Sequence, residues 1–201
     1  MEKPTPNNPI REPTDRELVL SLQNGDLGAF DQLVKRYQAR LYRVIYGVLL
    51  HHEDTNDVLM ETLVKAYRNI GRFRIGASFY TWIYRIAINA AISYRRKTAR
   101  FRQAGGAGSQ ADDEEKMPEA FVDEPAGKEA LRKMELQELH QEIERALSQL
   151  SEAHRAVVTL FDIEGLSHAE IAKIVGCSEG TVRSRLFYAH KRLRESLRNY
   201  V

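Results

Sequence analysis

SHAEIAKIVGCSEGTVRSRLFYAHKRLRESLR, residues 167–198, reads as two helices joined by a tight turn. Ser167 and Glu170 stand at the spacing of a capping box, in which a hydroxyl and a carboxylate satisfy each other's end amides. The box opens a short helix from His168 to Val175. Gly176 supplies the turn, because glycine takes positive φ without steric cost. Ser178 caps a second helix, from Glu179 to about Arg198. Ala172 is small where the helices cross, and Ile171, Val175, Val182 and Leu186 fill the space between them. A helix pair with a short glycine-containing turn is a helix-turn-helix. On the outer surface of the second helix, Thr181, Ser184, Arg185 and Tyr188 keep helical spacing, flanked by Arg183, Phe187, Lys191 and Arg192. Arginine pairs with guanine O6 and N7, Ser and Thr bond bases or phosphates, and an aromatic meets the thymine methyl. The N-terminal end of such a helix enters the major groove, so the expectation is duplex DNA. A solvated basic helix in an ordinary bundle is the plainer alternative, but cap, small residue, turn glycine and basic face share one register here. Cys177 reads as a small packed residue of the turn rather than a reactive thiol.

Outward from this motif the rest of the chain is helical too, and no convincing strand is found. The 201 residues allow one large domain or two small ones, and 29% charged with 43% hydrophobic residues suits a helix-rich globular protein. A net charge of +2 does not announce a nucleic-acid binder, but its distribution is uneven. Arg95, Arg96, Lys97, Arg100 and Arg102 form one basic block, and Arg183 to Arg198 carries a second. Between them Asp112, Asp113, Glu114, Glu115, Glu119, Asp123 and Glu124 face a single Lys116. Basic blocks attract phosphate and the acidic one does not. Thr14 and Glu17 form another capping box, with Asn24-Gly25 as the stop and Asp26 capping the next helix. A third helix is expected from near Asp54 to Ile70, and a fourth, capped by Ser78, to about Lys97. Residues 99–127, with Gly105-Gly106-Ala107-Gly108-Ser109, the acids and Pro118 and Pro125, cannot bury a core and read as a linker. Polar, Pro-rich residues 1–13 read as a disordered tail without a signal-peptide core. The expectation is an all-α protein: two small helical domains, 14–98 and 128–201, joined by a flexible acidic linker (99–127). With one cysteine and no long apolar run, neither a disulfide nor membrane insertion is expected, and the location expected is cytoplasmic. His51-His52-Glu53-Asp54 is not read as a metal site, since neighbours on a helix point apart.

The expected fourth helix carries FYTWIYRIAINAA, residues 79–91. Phe79, Trp82, Ile83, Ile86, Ala87 and Ala90 share a core face. Thr81, Tyr84, Arg85, Asn89, Arg95 and Arg96 fall opposite, where aromatic, amide and guanidinium groups suit unpaired bases. An ordinary amphipathic helix would read the same way. This segment, with Gly165-Leu166-Ser167, Ile171-Ala172 and Gly180-Thr181-Val182-Arg183-Ser184-Arg185-Leu186, resembles the extracytoplasmic-function (ECF) sigma factors of bacterial RNA polymerase, over about residues 14–98 and 128–198.

The resemblance implies a non-catalytic initiation factor with no cofactor and no small-molecule substrate. Its partners would be core RNA polymerase, promoter DNA and an anti-sigma factor. The first domain would bind polymerase and read the melted −10 element, and the second would read the −35 duplex. The resemblance puts −35 contacts at Thr181, Arg183, Ser184, Arg185, Phe187, Tyr188, Lys191 and Arg192. It puts −10 contacts at Phe73, Ser78, Tyr84, Arg85, Asn89 and Arg96, with Asn89 at the position that captures an extruded base. Polymerase would meet Asp54, Asp57, Met60, Glu61 and Leu63. The chain departs from its relatives at Ile75-Gly76-Ala77, where they often have Gly-Asp-Ser, at Met60 and Leu63, and at Tyr188, where some have arginine. Two other classes compete: a sigma-like decoy, which should lack the basic face of Arg183, Arg185, Lys191 and Arg192, and a helix-turn-helix recombinase, for which no catalytic constellation appears.

Overall fold

A computed structural model describes residues 11–103, 128–198 and 200. The helices are α1 (Asp15–Gln23), α2 (Leu27–Leu49), α3 (His52–Asn69), α4 (Phe79–Gln103), α5 (Lys128–Ser148), α6 (Glu152–Val158), α7 (His168–Val175) and α8 (Glu179–Ser196). A 3₁₀ turn, Ile70–Arg72, follows α3, and a π turn, Thr159–Ile163, follows α6. No strand occurs among the described residues. Residues 1–10 and 104–127, most of the expected tail and linker, lie outside the described residues.

Local chemistry sets most helix ends. Thr14 accepts from the Glu17 amide at 3.3 Å while Glu17 accepts from the Thr14 amide at 2.7 Å. The bond from the Thr14 amide, with a second from the Thr14 hydroxyl at 2.8 Å, holds the Glu17 carboxyl below its usual range. Asp26 accepts from the Gly28 amide at 2.9 Å. Gly25, at φ 97°, makes the reversal between α1 and α2. Two boundaries differ from the sequence expectation. Helix α3 begins at His52, before Asp54, because the His51 ring caps it by accepting from the Asp54 amide at 3.3 Å. Helix α4 continues through Gln103, past Lys97, so residues 99–103 belong to a helix rather than to the linker.

Leu33, Leu41, Val44, Ile45 and Val48 of α2 pack with Val58 of α3 and with Ile83 and Ala87 of α4, all essentially without exposure. The C-terminal helices continue this apolar cluster through Val157, Leu160, Ile171, Ile174, Val182 and Ala189. The two halves expected from the sequence are therefore in contact, with α7 lying along α4, and α6 and the π turn against α2. At Gly47 the approach is close: a Cβ there would fall inside the Thr159 side chain.

Packing within and between the halves corrects three placements. Tyr84, expected on the outer face of α4, is completely buried. A helical wheel assigns one core face, whereas α4 is packed on one side by α2 and α3 and on another by α7. Phe73, expected among exposed contacts, is buried with its ring edge-on to Phe79 at 5.9 Å and 5.1 Å from Trp82. Leu63, expected on an outward surface of α3, is in the core.

Candidate nucleic-acid interface

The helix-turn-helix is built as its sequence dictates. The Ser167 hydroxyl accepts from the Glu170 amide at 3.3 Å, and Glu170 accepts from the Ser167 amide at 2.9 Å. The Ser167 hydroxyl also donates to the Glu170 carboxylate at 2.6 Å, and that bond, then the one from the Ser167 amide, holds the Glu170 carboxyl below its usual range. Gly176 closes α7 at φ 70°, in the left-handed region. Ser178 then accepts from the Thr181 amide at 3.1 Å. Val182, Leu186 and Ala189 turn the apolar side of α8 inward.

Opposite them, Arg183, Ser184, Phe187, Tyr188, Lys191 and Arg192 are exposed, and Thr181 and Arg185 are half-buried. Phe187 and Tyr188, 66% and 62% exposed, stand edge to face at 5.5 Å. Two large rings kept in water on a cationic helix serve no packing role, and they suit base edges and methyl groups. Arg185 leans toward the turn, its Nη1 3.9 Å from Cys177 Sγ.

A second surface lies on the N-terminal half. Lys65, Asn69 and Arg72 face Trp82, Ile86, Asn89, Ala90 and Ser93 across a groove of about 480 Å³. Asn89 is exposed within it, and the half-buried Trp82 forms part of the wall. Gln23 fixes the neighbouring loop by donating to the Ile70 and Phe73 carbonyls at 2.7 and 3.1 Å. An amide, an indole and cations around one groove match what an unpaired base and its phosphates require. Of the −10 candidates, Asn89 enters this groove. Ser78 and Arg85 line a separate cleft of about 790 Å³ against Lys173, Gly176 and Glu179 of the helix-turn-helix. Arg96 is exposed further along α4, and Tyr84 and Phe73 are buried. Lys65, Asn69 and Arg72 were missed in the sequence, although their spacing along α3 and its following turn is helical.

On α3, Asp57, Met60 and Glu61 are exposed, in a neighbourhood that also presents Val64 and Tyr67. Asp54 is half-buried and accepts from the Tyr94 hydroxyl at 2.5 Å. That bond pushes Tyr94 up to about 12. Among the described residues no group of His, Cys, Asp and Glu could hold a metal ion, and no helix is long and apolar enough to cross a membrane.

A polar cluster joins the halves and had no sequence signal. Glu164, just after the π turn, has a side chain only 1% exposed. It accepts from Arg40 Nε at 3.0 Å, Arg43 Nε and Nη2 at 3.3 and 3.1 Å, and the Tyr84 hydroxyl at 2.8 Å. Burial and then the bond to Glu164 push the Tyr84 hydroxyl well above its usual value. Arg40 also lies 5.4 Å over the Tyr80 ring, and Tyr80 and Tyr84 are 4.3 Å apart.

Two family models match the chain: Sigma-70 region 2 over residues 33–101 and Sigma-70, region 4 over residues 140–193. The RNA polymerase sigma-H factor of Pseudomonas aeruginosa is 37% identical over 195 residues, covering 94% of this chain and 96% of that protein. The ECF RNA polymerase sigma-E factor of Escherichia coli K12 is 38% identical over 189 residues, with 94% of each covered. Among solved structures, the sigma factor RpoE with the anti-sigma factor NepR from Bartonella quintana matches at TM-score 0.61 and 26% identity, covering 86% of this chain and 98% of that one. CnrH in complex with the cytosolic domain of CnrY matches at TM-score 0.65 and 24% identity, covering 93% and 99%, a likeness of fold.

Proposed function

Because this chain belongs to the ECF sigma factors of RNA polymerase, we propose that it docks on core polymerase and directs promoter-specific initiation by reading two DNA elements in two physical states. The observation that carries this reading is the pairing of an exposed aromatic and cationic recognition helix with a separate groove around Asn89. The α8 surface reads the −35 element as duplex, with Arg183, Arg185, Lys191 and Arg192 holding guanines and phosphates and Phe187 and Tyr188 meeting base edges. The Asn89 groove takes a base drawn out of the melted −10 strand, with Trp82 beside it and Lys65 and Arg72 neutralising the backbone. Asp57, Met60 and Glu61 of α3 supply the polymerase contact. Polymerase performs the chemistry, and this chain positions DNA in the cytoplasm.

Engagement of the duplex requires the halves to part. Glu179, at the N-terminal end of α8, lines the same cleft as Ser78, Thr81 and Arg85 of the first half. A major groove cannot take the end of that helix while α4 lies beside it. An anti-sigma factor is the expected regulator; the RpoE–NepR match, a sigma factor in complex with an anti-sigma factor, supports that reading.

The test is transcription in vitro with core polymerase on a promoter library. Promoter-dependent initiation is expected, and its absence would sink the assignment. Arg185→Ala should weaken duplex −35 binding about tenfold, within the range for one bidentate contact. Asn89→Ala should spare duplex binding and impair opening. Equal loss of duplex binding in both variants would refute the division of labour.

A further inference from the structure

We propose that Arg40, Arg43 and Tyr84, with the ring of Tyr80, form an additional binding site for single-stranded DNA, and that Glu164 occupies this site as a stand-in for a backbone phosphate while the two halves are packed together. The inference rests on the reading of the chain as a promoter-melting factor and adds a contact to it on a different face of α4 from Asn89.

The chemistry of the site argues for an oxyanion. Two guanidinium groups and a phenol converge on one carboxylate through four hydrogen bonds. A guanidinium fork fits a phosphate as it fits a carboxylate. The Arg40 and Arg43 side chains are 41% and 52% exposed, so an incoming strand can reach them. Beside them the Tyr80 and Tyr84 rings and the guanidinium over Tyr80 make a stacking platform with a cation on it, the combination by which proteins hold unpaired strands. A structural ion pair would need the cation and the acid but not the paired rings. Glu164 is also delivered by a replaceable element. It follows a π turn and precedes Gly165 at φ 69°, so a short loop presents it and no helix must unwind for it to leave. When the halves part, Tyr84 loses its cover and the cradle faces water.

The experiment uses the full chain and a fluorescent single-stranded oligonucleotide of −10-like composition, with the radius of gyration measured by X-ray scattering on the same samples. Glu164→Gln keeps the shape of the side chain and removes the charge. It is expected to expand the molecule and to tighten oligonucleotide binding roughly tenfold, the size of effect expected when a charge-assisted hydrogen-bond network is released. Adding Arg40→Ala and Arg43→Ala should abolish the gain and flatten the dependence of binding on salt, while the molecule stays expanded. Glu164→Ala serves as a second opening variant if the glutamine form misfolds by circular dichroism. Expansion without tighter binding would overturn the proposal and assign this face to a protein partner. Unchanged size and binding would overturn it as well, because Glu164 would then not hold the cradle shut. Initiation by the wild-type chain, run in parallel, separates failure of the cradle from failure of the sigma-factor reading.

Discussion

Arg155 on α6 is 1% exposed, and its three guanidinium nitrogens find no hydrogen-bond partner among the described residues. A buried cation without a partner opposes the packing around it. Arg155→Met keeps most of the volume and removes the charge. It should therefore stabilise the chain by about 1–4 kcal/mol, as replacement of buried charges often does. A thermal melt followed by circular dichroism checks this, and a lower midpoint would mean that the guanidinium is compensated. Legibility divides sharply at this scale. The capping residues Thr14, Asp26, Ser167 and Ser178 were readable because their partners stand two or three residues away. Gly176 was readable because only its lack of a side chain suits φ 70°. Glu164 was not, because its partners lie 80 to 124 residues distant. No local pattern encodes such a meeting. Tyr84 misled for the same reason: it stands at the edge of the core face on the wheel, and the partner of its hydroxyl comes from the other half of the chain.

The elements were legible wherever a periodic apolar stripe had a chemical stop. Helix α2 shows such a stripe from Ala29 to Val48, and α4 was recognised by its aromatic run. Ends without a strong signal drifted, as at His51, where an imidazole takes the capping role of a hydroxyl or carboxylate. The π turn left no trace in the sequence, yet it sets how α6 meets α2. Its Thr159 sits against Gly47, where an added Cβ would be 2.6 Å from Thr159 Cγ2. Gly47→Ala should thus destabilise the chain by about 1–3 kcal/mol through overpacking, despite the better helix propensity of alanine. Thr159→Ala removes the atoms that clash and should restore much of the loss when combined with it. Urea melts of the single and double variants measure that coupling. Additive effects would mean that the two elements separate without strain in solution.

At the scale of the molecule, the halves were foreseen but their contact was not, since a linker composition says nothing about whether the units it joins touch. The contact is rich in protonated phenols. Tyr80 is pushed up to about 12 chiefly by burial. Tyr84 is raised by burial and by its bond to Glu164. Tyr46, held to Glu144 of α5, is raised for the same two reasons. A phenol open to water titrates near pH 10. The packed form therefore binds these protons more tightly than the separated form does. Its advantage is complete below about pH 10 and is lost as the pH rises toward and through 12. Alkali should consequently part the halves before it melts the helices, whose cores are apolar. The expected signature is a rise in the radius of gyration between pH 10 and 12 while the helical signal in circular dichroism persists, with tyrosinate absorbance growing in step. Tyr84→Phe cannot ionise but also cannot donate to Glu164, so this variant should be more expanded at neutral pH and respond less to alkali. Loss of helicity in step with expansion would show instead that the two halves unfold as one unit.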